Sequence, residues 1–182
     1  MFLTSTAIAT TWTVDDDGKA DFDNIQAAVD AASDGDEIIV MPGTYTGNSS
    51  TVVYILDKSL WIHSSDGPEV TIISGENARR CMLISSGEST STVIEGFTLT
   101  NGNKTASSGG GLGCYSSSPT ITNCVFTNNY AGWGGGAEIN SDVLLTDCSF
   151  VNNTARHDGG GMVIGPGSAV LTNCSFIGNI TE

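Results

Sequence analysis

The stretch GGGAEINSDVLLTDCSFVNN occupies residues 134–153, and closely related stretches stand on both sides of it. GGGLGCYSSSPTITNCVFTNN fills residues 109–129, and GGGMVIGPGSAVLTNCSFIGN fills residues 159–179. Their Gly triplets begin at Gly109, Gly134 and Gly159, which are 25 residues apart. Self-similarity at a fixed period of this length is the sequence signature of a repeat architecture.

Apolar and other side chains alternate within each unit. In the first unit, Leu112 and Cys114 alternate with Gly113 and Tyr115. Two more alternating runs follow in every unit, and a period of two predicts β-strands with one face buried. The apolar positions are Ile121, Leu145 and Leu171 in the second run and Cys124, Phe126, Cys148, Phe150, Cys174 and Phe176 in the third.

A single polar residue separates the second run from the third, namely Asn123, Asp147 or Asn173. Asn and Asp tolerate the left-handed backbone region, so one such residue can turn the chain sharply. Three short strands per coil in constant register predict an all-β parallel solenoid in which like residues stack about 4.8 Å apart. We expect about five to six coils, and the glycines exclude a helical repeat.

The upstream half predicts a cap and less regular coils. An amphipathic capping helix is expected over residues 23–32, with Asp21 or Asp23 as its N-cap and Gly35 beyond its end. Residues 1–12 are expected to be a flexible N-terminus or the remnant of an export signal. Residues 13–182 form one predicted β-helix domain, divided into a cap at 13–36, irregular coils at 37–108 and regular Gly-rich coils at 109–182.

The segment DDDGKADFDNIQAAVDAASDGDEIIVMPGTYTG, residues 15–47, resembles the N-terminal cap and first coil of right-handed parallel β-helix proteins of the pectin-lyase-like superfamily. The Gly-rich coils are similar to repeats of bacterial β-helix surface proteins, including polymorphic outer-membrane protein passengers. The resemblance covers nearly the whole chain and implies a single right-handed parallel β-helix. It does not decide the activity, because the superfamily holds polysaccharide lyases, glycoside hydrolases, epimerases and non-enzymatic adhesins.

Charge and hydropathy exclude several partners. The formal net charge of −14, with six Lys and Arg in total, repels nucleic-acid phosphates and disfavours nucleic-acid binding. No apolar run reaches the roughly 18 residues of a membrane span. Ala7-Ile8-Ala9 has the small-x-small form of a signal-peptidase site. Together with the resemblance, this pattern implies an extracellular or cell-surface protein of bacterial origin.

Five cysteines occur, at Cys81, Cys114, Cys124, Cys148 and Cys174, and none belongs to a C-x-x-C pair. Stacked coils would bring successive Cα atoms into the range of a disulfide bond. In-register stacking also keeps the Cβ atoms about as far apart as the Cα atoms, which is too far for most disulfides. We therefore favour buried free thiols that behave as small apolar side chains.

Functional interest falls on outward positions where the copies differ. Trp and Tyr rings stack on sugar rings, and acidic or basic side chains beside them can bind sugar hydroxyls. The favoured alternative is that these residues are ordinary exposed loop residues that bind no ligand. The candidate carbohydrate-binding residues are Tyr115, Trp133, Glu138, Arg156, His157 and Asp158.

The sequence does not identify catalytic residues. Glycoside hydrolysis requires two carboxylates about 5 to 9.5 Å apart, which Glu138 or Asp142 could form with Asp147 or Asp158. Asp147, however, occupies a corner position that accepts Asn equally. β-Elimination requires a basic side chain beside a cluster of acids, and Arg79-Arg80 is interpreted as a solvated loop.

Asp15, Asp16 and Asp17 are candidate calcium ligands. The bidentate Glu expected at the twelfth position of a calcium loop is replaced by Gln26. A solvated loop beside a helix N-terminus is therefore the favoured interpretation, and no cofactor is required by the sequence.

We expect a secreted or surface-displayed β-helix module that is structural, adhesive or carbohydrate-binding, rather than a complete enzyme. The alternative is a fragment of a polysaccharide lyase or glycoside hydrolase that acts on an extracellular glycan. The sequence ends in mid-pattern at SFIGNITE. This ending predicts an uncapped C-terminal coil that continues in a longer protein or packs against a second copy as a homodimer.

Overall fold

Short strands pair in parallel and wind the chain into a β-solenoid of about six turns. This computed structural model describes residues 9–85 and 92–182. Each coil places its strands beside the corresponding strands of the next coil, so the strands align in four sheets, A to D.

Sheet A contains β1 (Thr11–Val14), β2 (Glu37–Val40), β5 (Trp61–Ser64), β8 (Val93–Glu95), β12 (Thr120–Thr122), β16 (Val143–Thr146) and β20 (Ala169–Thr172). Sheet B contains β3 (Gly43–Tyr45), β6 (Thr71–Ser74), β9 (Thr98–Thr100), β13 (Val125–Thr127), β17 (Ser149–Val151) and β21 (Ser175–Ile177). Sheet C contains β4 (Thr51–Leu56), β7 (Arg80–Ser85), β11 (Leu112–Tyr115), β15 (Ala137–Asn140) and β19 (Met162–Ile164). Sheet D contains β10 (Asn103–Ser108), β14 (Tyr130–Trp133), β18 (Thr154–Asp158) and β22 (Ile180–Thr181).

Sheet D corrects the expectation of three strands per coil, because it adds a fourth strand to the later coils. The local sequence gave a weak signal for this strand. In β14, which reads Tyr-Ala-Gly-Trp, Ala131 is the buried apolar side chain and Gly132 follows it. An alternation this short does not establish a period of two.

Stacked like residues fill the interior as predicted. Phe126 pairs in register with Phe150 and Phe150 with Phe176. The neighbouring rings are stacked with centroids 4.6 and 4.7 Å apart and nearly parallel planes. All five cysteines are free thiols, as expected, and the Cys148 thiol donates to the carbonyl of Ile121 at 3.6 Å.

The corner between sheets A and B has the left-handed backbone that the sequence predicts. Asn123, Asp147 and Asn173 have φ values of 49°, 54° and 53°. Gly96, with φ of 79°, holds the same position one coil earlier. One residue therefore turns the chain at this corner, which keeps the coils short enough to stack.

The Gly triplets are explained by contact between neighbouring coils. The first glycine of the second triplet, Gly134, has φ of 59°. A Cβ atom on Gly135 would lie 2.3 Å from the carbonyl oxygen of Thr154, and one on Gly136 would lie 2.3 Å from that of Gly161. Any side chain at the second or third glycine would therefore force adjacent coils apart.

An internal asparagine ladder that the sequence analysis missed joins three coils. The Asn153 side-chain oxygen accepts from both the backbone and side-chain nitrogens of Asn129, each at 3.0 Å. The Asn153 amide nitrogen donates to the Phe126 carbonyl at 2.8 Å and to the Asn179 side-chain oxygen at 3.0 Å. Asn129 and Asn153 are fully buried, so the ladder satisfies backbone groups that water cannot reach.

Helix α1 (Ile25–Ala31) lies within the range predicted for a helix, and it buries Ile25, Ala28 and Val29. Its N-cap is Asn24, whose side chain accepts from the Ala27 N–H at 2.8 Å. The expected cap residues are engaged elsewhere. The Asp21 carboxylate accepts from the Thr13 N–H and hydroxyl, and the Asp23 carboxylate accepts from the Asn24 amide.

Two side-chain contacts attach α1 to the edge strand β4 and the loop after it. The Gln26 amide accepts from the Tyr54 N–H at 2.6 Å and donates to the Tyr54 carbonyl at 3.2 Å, as a neighbouring strand would. The Lys58 ammonium donates to the carbonyls of Val29, Asp30 and Ala32. A cation is favourable at a helix C-terminus because it satisfies carbonyls that have no partner within the helix.

Part of the segment 1–12, which we expected to be flexible, belongs to a strand. Thr11 and Trp12 begin β1, which pairs with β2, and residues 1–8 lie outside the described part of the chain. Buried Asp36 secures this segment by accepting from the N–H groups of Ser33 and Thr10 and from the Trp12 indole. Hydrogen bonds between residues this far apart in the chain cannot be predicted from the hydropathy of the local sequence.

The last turn exposes apolar side chains, including a Phe whose equivalents in the turns before it are buried. Phe176 is 46% exposed, whereas Phe126 and Phe150 are buried, and Ile177 and Ile180 are 60% and 57% exposed.

The described residues contain no helix that is long and apolar enough to cross a membrane.

The first prediction concerns the asparagine ladder. Replacing Asn153 by Ala removes four hydrogen bonds and leaves buried groups without partners, so we expect the free energy of unfolding to fall by about 2–4 kcal/mol. Asn152→Gly is the matched control, because Gly178 holds the equivalent corner position. Urea unfolding followed by circular dichroism measures both; equal effects would contradict the role of the ladder.

The second prediction concerns Asp36. The N–H groups of Ser33 and Thr10 hold the pKa of Asp36 below its ordinary value, so its stabilising effect is present above about pH 4 and lost as the pH falls through the folded-state pKa. Asp36→Asn should cost about 1–2 kcal/mol at pH 7. The difference from the wild type should shrink below pH 4 in urea unfolding experiments. A difference that is constant between pH 7 and pH 3 would exclude this linkage.

Candidate functional site

The structure divides the six predicted site residues between two adjacent sheets. Tyr115 and Glu138 lie on sheet C, in β11 and β15. Trp133, Arg156, His157 and Asp158 lie at the ends of β14 and β18 in sheet D. The Gly triplet at 134–136 connects β14 to β15, so the two groups flank one corner of the solenoid.

Trp133 and His157 form an exposed aromatic surface on sheet D. Their ring centroids are 4.5 Å apart with an interplanar angle of 33°, and Trp133 is 40% exposed. Between the pairs Ala131–Ala155 and Trp133–Asp158, β18 contains one more residue than β14. Such a bulge re-aims side chains, and here it accompanies the contact of His157 with Trp133.

Charged groups flank this aromatic surface. Arg156 and Asp158 are exposed on either side of His157. The Tyr130 hydroxyl, at the other end of β14, donates to the Glu182 carboxylate at 3.1 Å. The sequence analysis did not single out Tyr130, although it precedes Trp133 by three residues. The surface therefore offers stacking groups with hydrogen-bond donors and acceptors around them.

Tyr115 and Glu138 interact directly across sheet C. The Tyr115 hydroxyl donates to the Glu138 carboxylate, which also accepts from the Asn140 amide at 3.1 Å. Burial raises the pKa of Tyr115 to about 12, and the negative Glu138 carboxylate contributes to the same direction. Both side chains are half-buried, and the phenol remains a hydrogen-bond donor at neutral pH.

Arg80 corrects the interpretation of Arg79-Arg80 as a solvated loop. Arg80 is buried in β7, and its guanidinium donates to the carbonyls of Gly109 and Ser108 while lying 5.8 Å from the centroid of the Tyr115 ring. Gly113 makes room for this contact, because a Cβ atom there would lie 2.9 Å from both Arg80 and Tyr115. Arg79 pairs with Glu76.

The predicted carboxylate pairs are dispersed. The Asp142 carboxylate accepts from the Ser168 N–H and hydroxyl at 2.9 and 2.7 Å, and that of Asp147 accepts from the Asn173 amide. Both contacts join neighbouring coils at turns. Glu138 and Asp158 remain as outward acids, on different sheets.

The calcium candidates each have a separate contact. Asp15 accepts from the Asp17 N–H at 3.3 Å, Asp16 accepts from the Thr44 N–H at 2.9 Å, and Asp17 pairs with Lys19. Within residues 9–85 and 92–182, no group of three or more His, Cys, Asp or Glu side chains is arranged to hold a metal ion.

Comparison with known proteins supports the fold. No protein-family model and no curated protein sequence matches the chain. A pectin methylesterase from carrot is similar in structure, with a TM-score of 0.51 and 16% identity over 92% of this chain and 65% of the carrot chain. A pectin methylesterase from Aspergillus niger gives a TM-score of 0.39 and 13% identity over 97% of this chain and 88% of its own.

The likeness to the carrot protein confirms the predicted fold, a right-handed parallel β-helix. This chain spans about 65% of the length of the carrot protein. At 16% identity the likeness concerns the fold and does not transfer an activity.

The third prediction concerns Tyr115. The difference between the alkaline ultraviolet titrations of the wild type and Tyr115→Phe should have a midpoint near 12, because burial opposes ionisation of the phenol. Glu138→Gln should lower this midpoint without bringing it to the ordinary value near 10. Circular dichroism at each pH confirms that the protein is folded, and a Tyr115 midpoint near 10 would contradict the contact.

Proposed function

We propose that this chain is a secreted β-helix module that binds an extracellular polysaccharide through the outer surface of sheet D. The observation that carries the proposal is the exposed Trp133 ring in tilted contact with the His157 ring, with Arg156 and Asp158 next to His157 in the chain. A sugar ring can cover the free face of such an aromatic pair, and its hydroxyls can bind the neighbouring charged groups.

The rigidity of the scaffold supports this function. Sheet D is attached to the coil interior by the asparagine ladder, whose members Asn129 and Asn153 immediately precede β14 and β18. The aromatic surface is therefore held in place before a ligand arrives, and preorganisation reduces the entropic cost of binding. The net charge of −14 disfavours nucleic acid as the ligand.

A second candidate function is that of a fragment of a polysaccharide-active enzyme, such as a lyase or a glycoside hydrolase. The cluster of Tyr115, Glu138 and Arg80 favours it. A half-buried carboxylate beside a phenol and a buried cation is an environment in which enzymes place a catalytic acid or base. The structurally similar carrot protein is itself named a pectin methylesterase. Under this hypothesis, the remaining catalytic acids lie in other segments.

The two ends of the solenoid differ in how their apolar side chains are covered. We infer that α1 closes the N-terminal end, because its apolar side joins the core and Gln26 occupies the edge of β4. Packing of the exposed last turn against a second copy, as a homodimer, remains a prediction that light scattering at micromolar concentration would test. Surface display and bacterial origin likewise remain expectations from the resemblance.

The fourth prediction tests the sheet D surface. In a screen against a polysaccharide panel, Trp133→Ala should weaken binding of the best ligand about tenfold or more, because it removes the stacking surface. Trp61→Ala is the matched control: Trp61 is 45% exposed and stacks on His63 at 4.4 Å, on sheet A.

The same screen records unsaturated products and released reducing sugar, so that it separates the two candidate functions. Binding without product supports the module, whereas product formation that Glu138→Gln abolishes supports the enzyme. Equal losses in Trp133→Ala and Trp61→Ala, or no binding to any polysaccharide, would overturn the proposed surface.

A further inference from the structure

A cleft lies far along the chain from the sheet D surface, at the N-terminal end of the solenoid. It has a volume of about 890 Å³ and is formed by the start of α1, the loop at 46–50 and the strand β4. This volume is within the range of about 300–1,000 Å³ that is usual for ligand sites. None of the six predicted site residues lines it.

Tyr54 gives the cleft an aromatic wall that is held in place. Its side chain is 37% exposed, and its hydroxyl lies 3.1 Å from the Ser85 hydroxyl, with which it forms a hydrogen bond. The backbone N–H and carbonyl of Tyr54 both form hydrogen bonds with the Gln26 side-chain amide. Leu83 lies beside Tyr54 in register on β7 and also lines the cleft, so the ring forms part of a continuous surface.

Most of the remaining lining is polar, and its charged side chains are carboxylates. Asp16 and Asp23 lie on one side, and the exposed side chains of Asn48, Ser49 and Ser50 lie on the loop. The Asp16 carboxylate accepts from the Thr44 N–H at 2.9 Å, which orients it. No Lys or Arg lines the cleft, so an anionic ligand would meet repulsion from both carboxylates and from the net charge.

We propose that this cleft is a second carbohydrate site, which binds an oligosaccharide that carries no negative charge. One sugar ring stacks on Tyr54, and hydroxyl groups donate to the Asp23 carboxylate and exchange hydrogen bonds with the loop at 46–50. The combination of one fixed aromatic ring, carboxylates and neutral hydroxyl and amide groups matches an uncharged polyol. The site is independent of sheet D and requires no catalytic activity.

The fifth prediction is a calorimetric titration in a Trp133→Ala background, so that sheet D cannot contribute. Cellohexaose, xylohexaose and N-acetylchitohexaose are the uncharged probes, and hexagalacturonate is the anionic probe. At least one uncharged hexasaccharide should bind with a dissociation constant below about 1 mM, and hexagalacturonate should not. Adding Tyr54→Ala should weaken this binding about tenfold, whereas Tyr54→Phe should retain it because the ring remains.

Trp61→Ala serves as the control substitution, because Trp61 lies on sheet A and does not line the cleft. Circular dichroism and thermal unfolding establish that each variant folds. Absence of binding to all three uncharged probes, equal binding of hexagalacturonate, or binding unaffected by Tyr54→Ala would each overturn the proposal. None of these results bears on the sheet D surface, which the wild type and Trp133→Ala test separately.

Discussion

In-register parallel pairing between successive coils is the constraint on which the structure depends. Each strand hydrogen-bonds to the same strand of the next coil, so equivalent side chains lie over one another at about 4.8 Å. This separation suits stacked Phe rings inside the coils. It also allows the side-chain amide of one asparagine to hydrogen-bond to that of the equivalent asparagine in the next coil, so that these buried polar groups have partners.

The same constraint determines the corners. A coil stacks on its neighbour only if it turns within one or two residues, which selects left-handed Asn, Asp or Gly. At the Gly triplet the adjacent coil approaches so closely that a Cβ atom would overlap its carbonyl oxygens. The residue pattern that the three repeat units share is therefore required by packing, and it carries little information about ligands.

The outward positions and the N-terminal end are the places where stacking does not select the residue, and the proposed binding sites lie there. Trp133 and His157 form one exposed aromatic surface, and Tyr54 lines the cleft beside α1. Tyr115, Glu138 and Arg80 occupy a third position, where burial and mutual contact fix each group. A rigid solenoid can present several such sites at separate points along its length.

The sequence by itself determined the parallel solenoid, the buried Cys and Phe positions, the left-handed corners and a helix near the N-terminus, because each follows from a local period or residue preference. The tertiary structure decided the fourth strand, the buried Arg80, the Asn24 cap, the asparagine ladder and the division of six site residues between two sheets. These features depend on contacts between residues that lie a coil or more apart in the chain or on competition among neighbouring side chains. No local pattern specifies which outward side chains meet, since that depends on how the corners fold one coil over the next.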